Sequence, residues 1–358
     1  MQDNNTKQEK YTPIRSIADA EQRLSAWNPN NESTTDFPNF ILNSINTQTS
    51  GQFIFGNSSE YHNLASEFAR NDLYKHAESI AIAGAEKYRY NADLLADIIK
   101  YGAQSQDWES CKKAFARLCS LDYKKWSWRC YTFSIEYILD LIEINESDKE
   151  EEYIQEAKKL IDSYKLLNDE RAWVADAELY LSKGERNSAI ETLKDAVKTV
   201  PVAPQCCLKL SDLLLEDGSY TEVIKYSAIG LRATAQDQPS ASNAYLLYVS
   251  ALAKDALIHQ EELTQQCSSN KEEKKGFSNI DAVKSALLDY RTAKQLFQGR
   301  AIYVNNIKQR ETILKAKSGI EDFDDDSDTK HYLAEQFVKQ LLDKTDGNDD
   351  SSVSGSDY

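Results

Sequence analysis

Four carboxylates near the carboxyl end of the sequence have the types and spacing for chemistry with a metal ion. Asp324, Asp326 and Asp328 occupy alternating positions, and Glu335 follows seven residues later. Hard oxygen ligands at alternating positions are what a calcium ion requires. The same residues lie in a strongly acidic stretch, so a solvated acidic linker is the competing interpretation.

The spacing of these acids resembles the EF-hand calcium loop. In that family the sixth position of the loop is glycine, because the chain turns sharply there. Thr329 stands at that position in this sequence, and a β-branched residue with positive φ is costly. No second loop of this kind is present to pair with it. We therefore favour the acidic linker and predict no bound metal.

The segment Arg70–His76 is the second candidate for chemistry. It resembles the R-N-x4-H signature of the HEPN ribonucleases, and the resemblance implies that Arg70 and His76 act on a scissile phosphate. A general acid–base pair of this kind needs both side chains to converge in one pocket. The segment falls instead on the turn inside a predicted helical hairpin, where polar turn residues are required. A ribonuclease is therefore the alternative rather than the favoured prediction.

Other residue types with catalytic or metal-binding uses show no supporting pattern. The sequence has no G-x-x-x-x-G-K-[ST] or G-x-G-x-x-G string, and its four histidines are scattered. A vicinal cysteine pair could be redox-active, but no C-x-x-C motif is present, and free cysteines usually pack as small apolar residues. We expect packing roles and no cofactor. The cysteines are Cys111, Cys119, Cys130, Cys206, Cys207 and Cys267.

The charge of the chain disfavours two classes of partner. Its 358 residues include 42 Lys and Arg against 58 Asp and Glu, which gives a net charge of -16. Direct binding of nucleic acid or of an anionic membrane needs a basic patch, and the longest basic cluster, Lys271–Lys275, is interrupted by two glutamates. No apolar run approaches the ~20 residues of a membrane span, and the N-terminus lacks the apolar core of a signal peptide. We predict a cytoplasmic protein.

A repeated pattern between Trp173 and Leu231 is the strongest structural feature of the sequence. Corresponding positions in its two copies are 34 residues apart, and large and small residues alternate in the same order. This period and pattern resemble the tetratricopeptide repeat (TPR), a unit of two antiparallel helices. The resemblance implies an all-α, right-handed solenoid. The matching pairs are Tyr180 and Leu214, Gly184 and Gly218, and Ala189 and Val223.

The same register identifies weaker units on the amino-terminal side. Ala77 and Cys111 are again 34 residues apart, and both fall where the second helix of a unit packs against the first. Cys111 and Ala157 are 46 residues apart, so the third unit carries an insertion. It is predicted to contain one long helix over Trp126–Ile144. Three units therefore precede the two regular ones.

Beyond Leu231 the period loosens. Amphipathic patterns over Asn243–His259 and Ile280–Gln298 predict a sixth hairpin with a long polar loop at Glu261–Asn279. A further helix over Ala301–Lys317 would cap the stack, because a terminal repeat leaves its stacking face exposed. The prediction is about six hairpins in all.

Three regions follow from these patterns. Residues 1–56 form a polar, partly disordered leader whose apolar segments either fold over the first repeat or remain disordered. Residues 57–318 form the repeat domain. Residues 319–358 form an acidic tail, and the part from 321 onward carries a net charge of -9. We predict one short amphipathic helix over Tyr332–Leu342 and a disordered end.

A helical solenoid presents an extended surface along the first helices of successive units rather than a deep pocket. We therefore predict a non-enzymatic scaffold or adaptor that binds a peptide or helix of another protein in a groove. The alternative is a regulatory subunit of a larger enzyme or of a defence or nuclease complex. The oligomeric state is left open. By register, the groove residues are Arg70, Lys100, Gln104, Arg171, Glu178, Gln205, Asp212 and Glu216.

Overall fold

The computed structural model describes residues 11–28, 36–46, 56–144, 149–233, 241–268, 280–297, 300–318 and 320, and α-helices dominate these residues. No helix in these ranges combines the length and apolar content needed to cross a bilayer. The prediction of an all-α fold is confirmed. In chain order the helices are α1 (Ile17–Ser25), α2 (Phe37–Asn46), α3 (Ser58–Arg70), α4 (Tyr74–Lys87), α5 (Ala92–Ser105), α6 (Trp108–Cys119), α7 (Trp128–Glu143), α8 (Glu150–Lys165), α9 (Glu170–Ser182), α10 (Arg186–Thr199), α11 (Pro204–Glu216), α12 (Tyr220–Ala233), α13 (Ala241–Ser268), α14 (Ile280–Leu296) and α15 (Ala301–Ser318).

The helices from α3 to α14 pack as six consecutive hairpins, α3 with α4 through α13 with α14. The predicted number of hairpins is confirmed. Contacts divide the chain into two compact units, Met1–Leu167 and Asn168–Tyr358. In the N-terminal unit the first helices α3, α5 and α7 pack side by side, and in the C-terminal unit α9, α11 and α13 do so. We call each set a first-helix row.

Side-chain caps set where the first helices begin. The side chains of Asn57, Asn91, Ser127 and Asp169 each accept a backbone N–H from the first turn of α3, α5, α7 and α9 respectively. Such caps replace hydrogen bonds that the first helical turn cannot make internally, and each stabilises its helix by about 1 kcal/mol. Asn57 also forms a capping box with Glu60. The starts of these four helices are therefore fixed by local interactions, whereas α11 follows Ala203, whose side chain makes no capping hydrogen bond.

Small residues on the second helices allow close packing against the first helices. The predicted small positions Ala77, Cys111, Ala157, Ala189 and Val223 are all 0% exposed. At Gly84 of α4 the two helices approach each other more closely still. A Cβ added to Gly84 would lie 2.9 Å from the Cβ of Tyr61, which is too close for two carbon atoms. The small-residue register read from the sequence therefore agrees with the packing.

The leader contributes two helices that pack on the first hairpin, α1 against α3 and α2 against α4. Ile17, Leu24 and Ile41 are fully buried in this packing. The apolar segments over residues 11–28 and 36–46 therefore fold over the first repeat. The third apolar patch of the leader, at residues 53–55, the predicted tail helix and the acidic residues 324–335 lie outside the described residues. The boundaries 56/57 and 318/319 stay predictions.

Two helix boundaries differ from the prediction. α13 continues to Ser268 rather than ending at His259, so the first part of the predicted loop at Glu261–Asn279 is helical. The loop was predicted from its lack of apolar rhythm, but its Glu, Leu and Gln residues have high helix propensity and sustain the helix. The predicted helix Trp126–Ile144 begins later, at Trp128, because Ser127 caps it and a short 3-10 turn precedes it.

The turns inside the hairpins contain a residue with left-handed backbone. Asp72 and Gln106 have φ of 59° and 63°, and Gly184 and Gly218 have φ of 73° and 72°. Each pair is 34 residues apart. The position therefore recurs with the repeat, and glycine occupies it only in the C-terminal unit.

Replacing these turn residues should change stability in opposite directions. A side chain in left-handed conformation costs roughly 1–2 kcal/mol. We expect Gln106→Gly to raise the free energy of unfolding by up to about 1 kcal/mol, because the strain removed is partly offset by the greater freedom of glycine in the unfolded chain. Gly184→Ala is expected to lower it by about 1 kcal/mol. Urea denaturation followed by circular dichroism measures both. Equal midpoints for wild type and both variants would mean that these turns carry no strain.

Candidate functional site

A cluster of charged side chains lies on the first-helix row of the N-terminal unit. It comprises His62 on α3, Asp97 and Lys100 on α5, and Arg129 on α7. His62 and Asp97 are 35 residues apart and Asp97 and Arg129 are 32 apart. The spacing is close to the repeat period, and all three helices contribute to the cluster. We call these four residues the first-helix cluster.

Asp97 is the centre of the cluster. Its side chain is 0% exposed, and it forms an ion pair with Arg129 and a 2.7 Å hydrogen bond with Nδ1 of His62. A carboxylate can only accept, so Nδ1 of His62 carries the proton of this hydrogen bond. Arg129 Nη2 also lies 3.3 Å from the His62 ring. The buried charge is therefore held by donors from both neighbouring repeats, which fixes the three helices relative to one another.

Cations and aromatic rings make up the outer part of the cluster. Lys100 Nζ lies 4.9 Å from the centroid of Phe133, and the Arg129 guanidinium lies 5.3 Å from the same centroid. Burial lowers the pKa of Lys100 from its usual value, and the neighbouring Arg129 lowers it further. Nε of Arg129 is buried and has no hydrogen-bond acceptor among the residues that the structure describes. The cluster therefore presents more positive than negative charge in an otherwise acidic chain.

The three groove residues predicted in this unit have different surroundings. Lys100 belongs to the first-helix cluster. Gln104, one turn further along α5, is exposed. Arg70, the last residue of α3, pairs with Glu67 of its own helix. Sequence reasoning missed His62, Asp97 and Arg129 as a group. The repeat register places them on the same first-helix row but not at matching positions within their helices, so it does not single them out.

The five groove residues predicted in the C-terminal unit divide into two groups. Three of them make contacts at helix ends. Arg171 pairs with Asp169, the capping residue of α9, and the backbone N–H of Gln205 donates to Glu170. Glu216 pairs with Arg186 on second helix α10. Glu178 and Asp212 lie further along the row, where Glu178 pairs with Lys209 at 3.2 Å. That all five bind a partner stays a prediction.

Asp212 combines exposure to solvent with an environment rich in protein atoms. Desolvation by the surrounding protein raises its pKa to about 6, against the opposing effect of Lys209 and with a contribution from Glu216. The side chain is nevertheless exposed. The carboxyl group is therefore accessible to solvent while neighbouring protein atoms disfavour its charged form.

The raised pKa of Asp212 predicts a pH-dependent effect of removing its charge. A carboxyl group whose pKa is higher in the folded state favours folding at low pH and loses that contribution as the pH rises through about 6. We expect Asp212→Asn to raise the melting temperature at pH 7.5 and to change it much less near pH 4, close to the ordinary pKa of 3.8. Melting curves of wild type and variant across this range measure the difference. A constant difference at all pH values would contradict the assignment.

Arg70 and His76, the residues of the ribonuclease alternative, engage different partners. The Arg70 side chain is 73% exposed and pairs with Glu67. The His76 ring stacks on Phe68, and its Nε2 lies 2.9 Å from Oδ1 of Asn39 on α2. Burial lowers the pKa of His76. Arg70 therefore makes an exposed pair within its own helix, and His76 packs between α3 and α2.

The cysteines are placed as packing residues. Cys206 and Cys207 are both buried, and burial raises the pKa of Cys207 to about 12 and that of Cys206 further still. A thiol must ionise to react as a nucleophile or redox group. Within the described part of the chain no group of three or more His, Cys, Asp or Glu side chains could hold a metal ion. The Cys267 side chain lies outside that part.

Comparison with known proteins finds proteins of similar structure but no match in sequence. No protein-family model matches the chain, and no curated protein matches its sequence. A thermophilic TPR protein from Thermus thermophilus is similar with a TM-score of 0.43 and 15% identity, over 56% of this chain and 98% of that one. A tetratricopeptide repeat protein from Parabacteroides merdae has a TM-score of 0.44 and 12% identity, over 82% and 98%. The description of this fold as TPR-like stands on its six hairpins and the recurring repeat period.

Proposed function

We propose that the protein is a non-enzymatic scaffold that binds a segment of another protein along the first-helix row of its N-terminal unit. The observation that carries this proposal is the first-helix cluster. Its buried Asp97 organises Arg129 and holds it beside Lys100, and both cations lie next to aromatic rings. Ordered cations with apolar surroundings are suited to recognising polar groups on a peptide, because little side-chain freedom is lost on binding.

Trp128 extends this surface. It precedes Arg129 on α7, is 38% exposed, and has its ring 5.7 Å from the Arg129 guanidinium carbon. Tryptophan and arginine are the residue types most often found at the energetic centre of protein interfaces. Partial exposure of the ring leaves area that a partner would cover. The combination supports an interface around the cluster more than it supports a purely structural ion pair.

Affinity capture from lysate with quantitative mass spectrometry tests the proposal. The wild-type chain is compared with Lys100→Glu and Trp128→Ala, which change the outer part of the cluster and leave Asp97 in place. Lys113→Glu is the matched control, because Lys113 lies on second helix α6 and its side chain is 74% exposed. Circular dichroism melting verifies that every variant is folded. A repeat of the capture without residues 319–358 separates the tail from the repeat surface.

We expect the wild-type chain and Lys113→Glu to capture one stoichiometric partner in equal amounts. Lys100→Glu and Trp128→Ala should each reduce the affinity for that partner at least about tenfold, a loss of about 1.4 kcal/mol in binding free energy. Equal capture by all folded variants would overturn the assignment of the surface. RNA cleavage by the purified chain, abolished in His76→Ala, would overturn the non-enzymatic assignment and support the ribonuclease alternative.

A further inference from the structure

The last helix of the C-terminal unit has apolar residues on two sides. Ile307 and Leu314 of α15 are buried in the core that this helix shares with α13 and α14. Ile302 and Ile313 are 81% and 43% exposed. They are eleven residues apart, about three helical turns, so they lie on one face. A surface helix normally keeps its apolar residues on one stripe, so the second stripe of α15 needs an explanation.

The exposed stripe is uncharged along its length. Asn306, Gln309 and Ala316 are the exposed residues that lie with the two isoleucines on this face of α15. The helix as a whole is basic, with four Lys or Arg residues and a single acid. Arg310 and Lys317 pair with Asp255 and Glu262 on α13. Lys308 and Lys315 have no ion-pair partner among the described residues. The stripe is therefore an uncharged surface bordered by Arg310 and Lys317, and Lys308 and Lys315 lie on another side of the helix.

The sequence that follows α15 has the complementary properties. Residues 321–331 contain six acids, and the predicted amphipathic helix Tyr332–Leu342 presents Leu333, Phe337 and Leu341 at helical spacing. An extended linker of 11 residues reaches at most about 36 Å, and α15 is about 27 Å long. The predicted helix can thus return along the full length of α15. A tethered segment also has a high effective concentration for a neighbouring surface.

We propose that the segment Tyr332–Leu342 of the same molecule docks on the Ile302–Ile313 face of α15 and covers the end of the repeat array. Apolar contact with the two isoleucines stabilises the docked segment, and the acidic linker is attracted to the basic side chains of α15. Docking buries the parts of Ile302 and Ile313 that are exposed on α15. This proposal is independent of the partner surface on the N-terminal unit.

Hydrogen–deuterium exchange of the full chain tests the proposal. We expect amides of residues 332–342 to exchange about tenfold or more slowly than an unstructured chain. Ile313→Glu and Ile302→Glu should each restore fast exchange in this segment. Ile144→Glu is the control, because Ile144 is 53% exposed in the N-terminal unit. Added salt should weaken the protection, since part of the attraction is between exposed charges.

Three results would overturn the proposal. Fast exchange of residues 332–342 in the wild-type chain would show that the segment is not docked. Protection that survives both Ile302→Glu and Ile313→Glu would place it on another surface. Protection that disappears on dilution would assign the occupant to a second copy of the chain rather than to the same molecule.

Discussion

Gly84→Leu is expected to lower the melting temperature of the protein by about 5 °C, equivalent to about 2 kcal/mol. A Cβ at this position would lie 2.9 Å from the Cβ of Tyr61 and 3.2 Å from Cδ1 of Leu94, and leucine adds three further carbons. Overpacking of a helix interface costs about 1–3 kcal/mol. The better helix propensity of leucine offsets less than about 1 kcal/mol of this. Differential scanning calorimetry measures the change.

Two further substitutions make this prediction specific. Ala189→Leu tests the corresponding interface in the C-terminal unit, where Ala189 is fully buried, and we expect a loss of similar size. Ala116→Leu is the control, since Ala116 is an exposed position of α6, where substitutions usually change stability by about 0.5 kcal/mol or less. If the two interface variants have the same melting temperature as Ala116→Leu, the assigned repeat register is wrong.

Asp97→Ala should have a larger effect, a loss of about 3 kcal/mol in the free energy of unfolding. The substitution leaves Arg129, whose side chain is only 18% exposed, without its carboxylate, and it removes the acceptor for Nδ1 of His62. An isolated charge in a buried site costs far more than the intact pair contributes. Urea denaturation of wild type and variant gives the difference directly.

A double-mutant cycle identifies the source of that loss. Arg129→Met removes the charge that Asp97→Ala would leave uncompensated, so the double variant should be more stable than the sum of the single effects implies by about 1 kcal/mol or more. Additive losses would mean that Asp97 stabilises the three helices without the Arg129 pairing. Lys113→Glu serves again as a control, because its exposed pair with Glu109 contributes little.

The fold was predictable from the sequence because repeats carry their information locally. Gly184 and Gly218 mark hairpin turns in which only positive φ fits, and Ala77 and Ala189 mark helix contacts that exclude larger residues. These signals repeat at a fixed period, so one regular stretch identifies its weaker neighbours. The helical extension of α13 could not be predicted in the same way, since a polar helix segment has no apolar period to detect.

The candidate site was less predictable because it depends on contacts between repeats. His62 and Asp97 are separated by 35 residues in the sequence, yet they are joined by a 2.7 Å hydrogen bond. The register placed Lys100 on the first-helix row, but a register identifies a face of the helix and not the residues that a side chain contacts. Arg70 illustrates the limit, because its side chain pairs within its own helix while the residue types around it suggested catalysis.

The two leader helices have a consequence for how copies of this chain meet. A stack of hairpins can in principle grow without limit, because the open side of one copy fits the opposite side of the next and such head-to-tail contacts produce filaments. α1 and α2 pack on α3 and α4, and with Ile17 and Ile41 buried they cover apolar surface of the first hairpin. A head-to-tail contact through that surface would require the leader helices to be displaced.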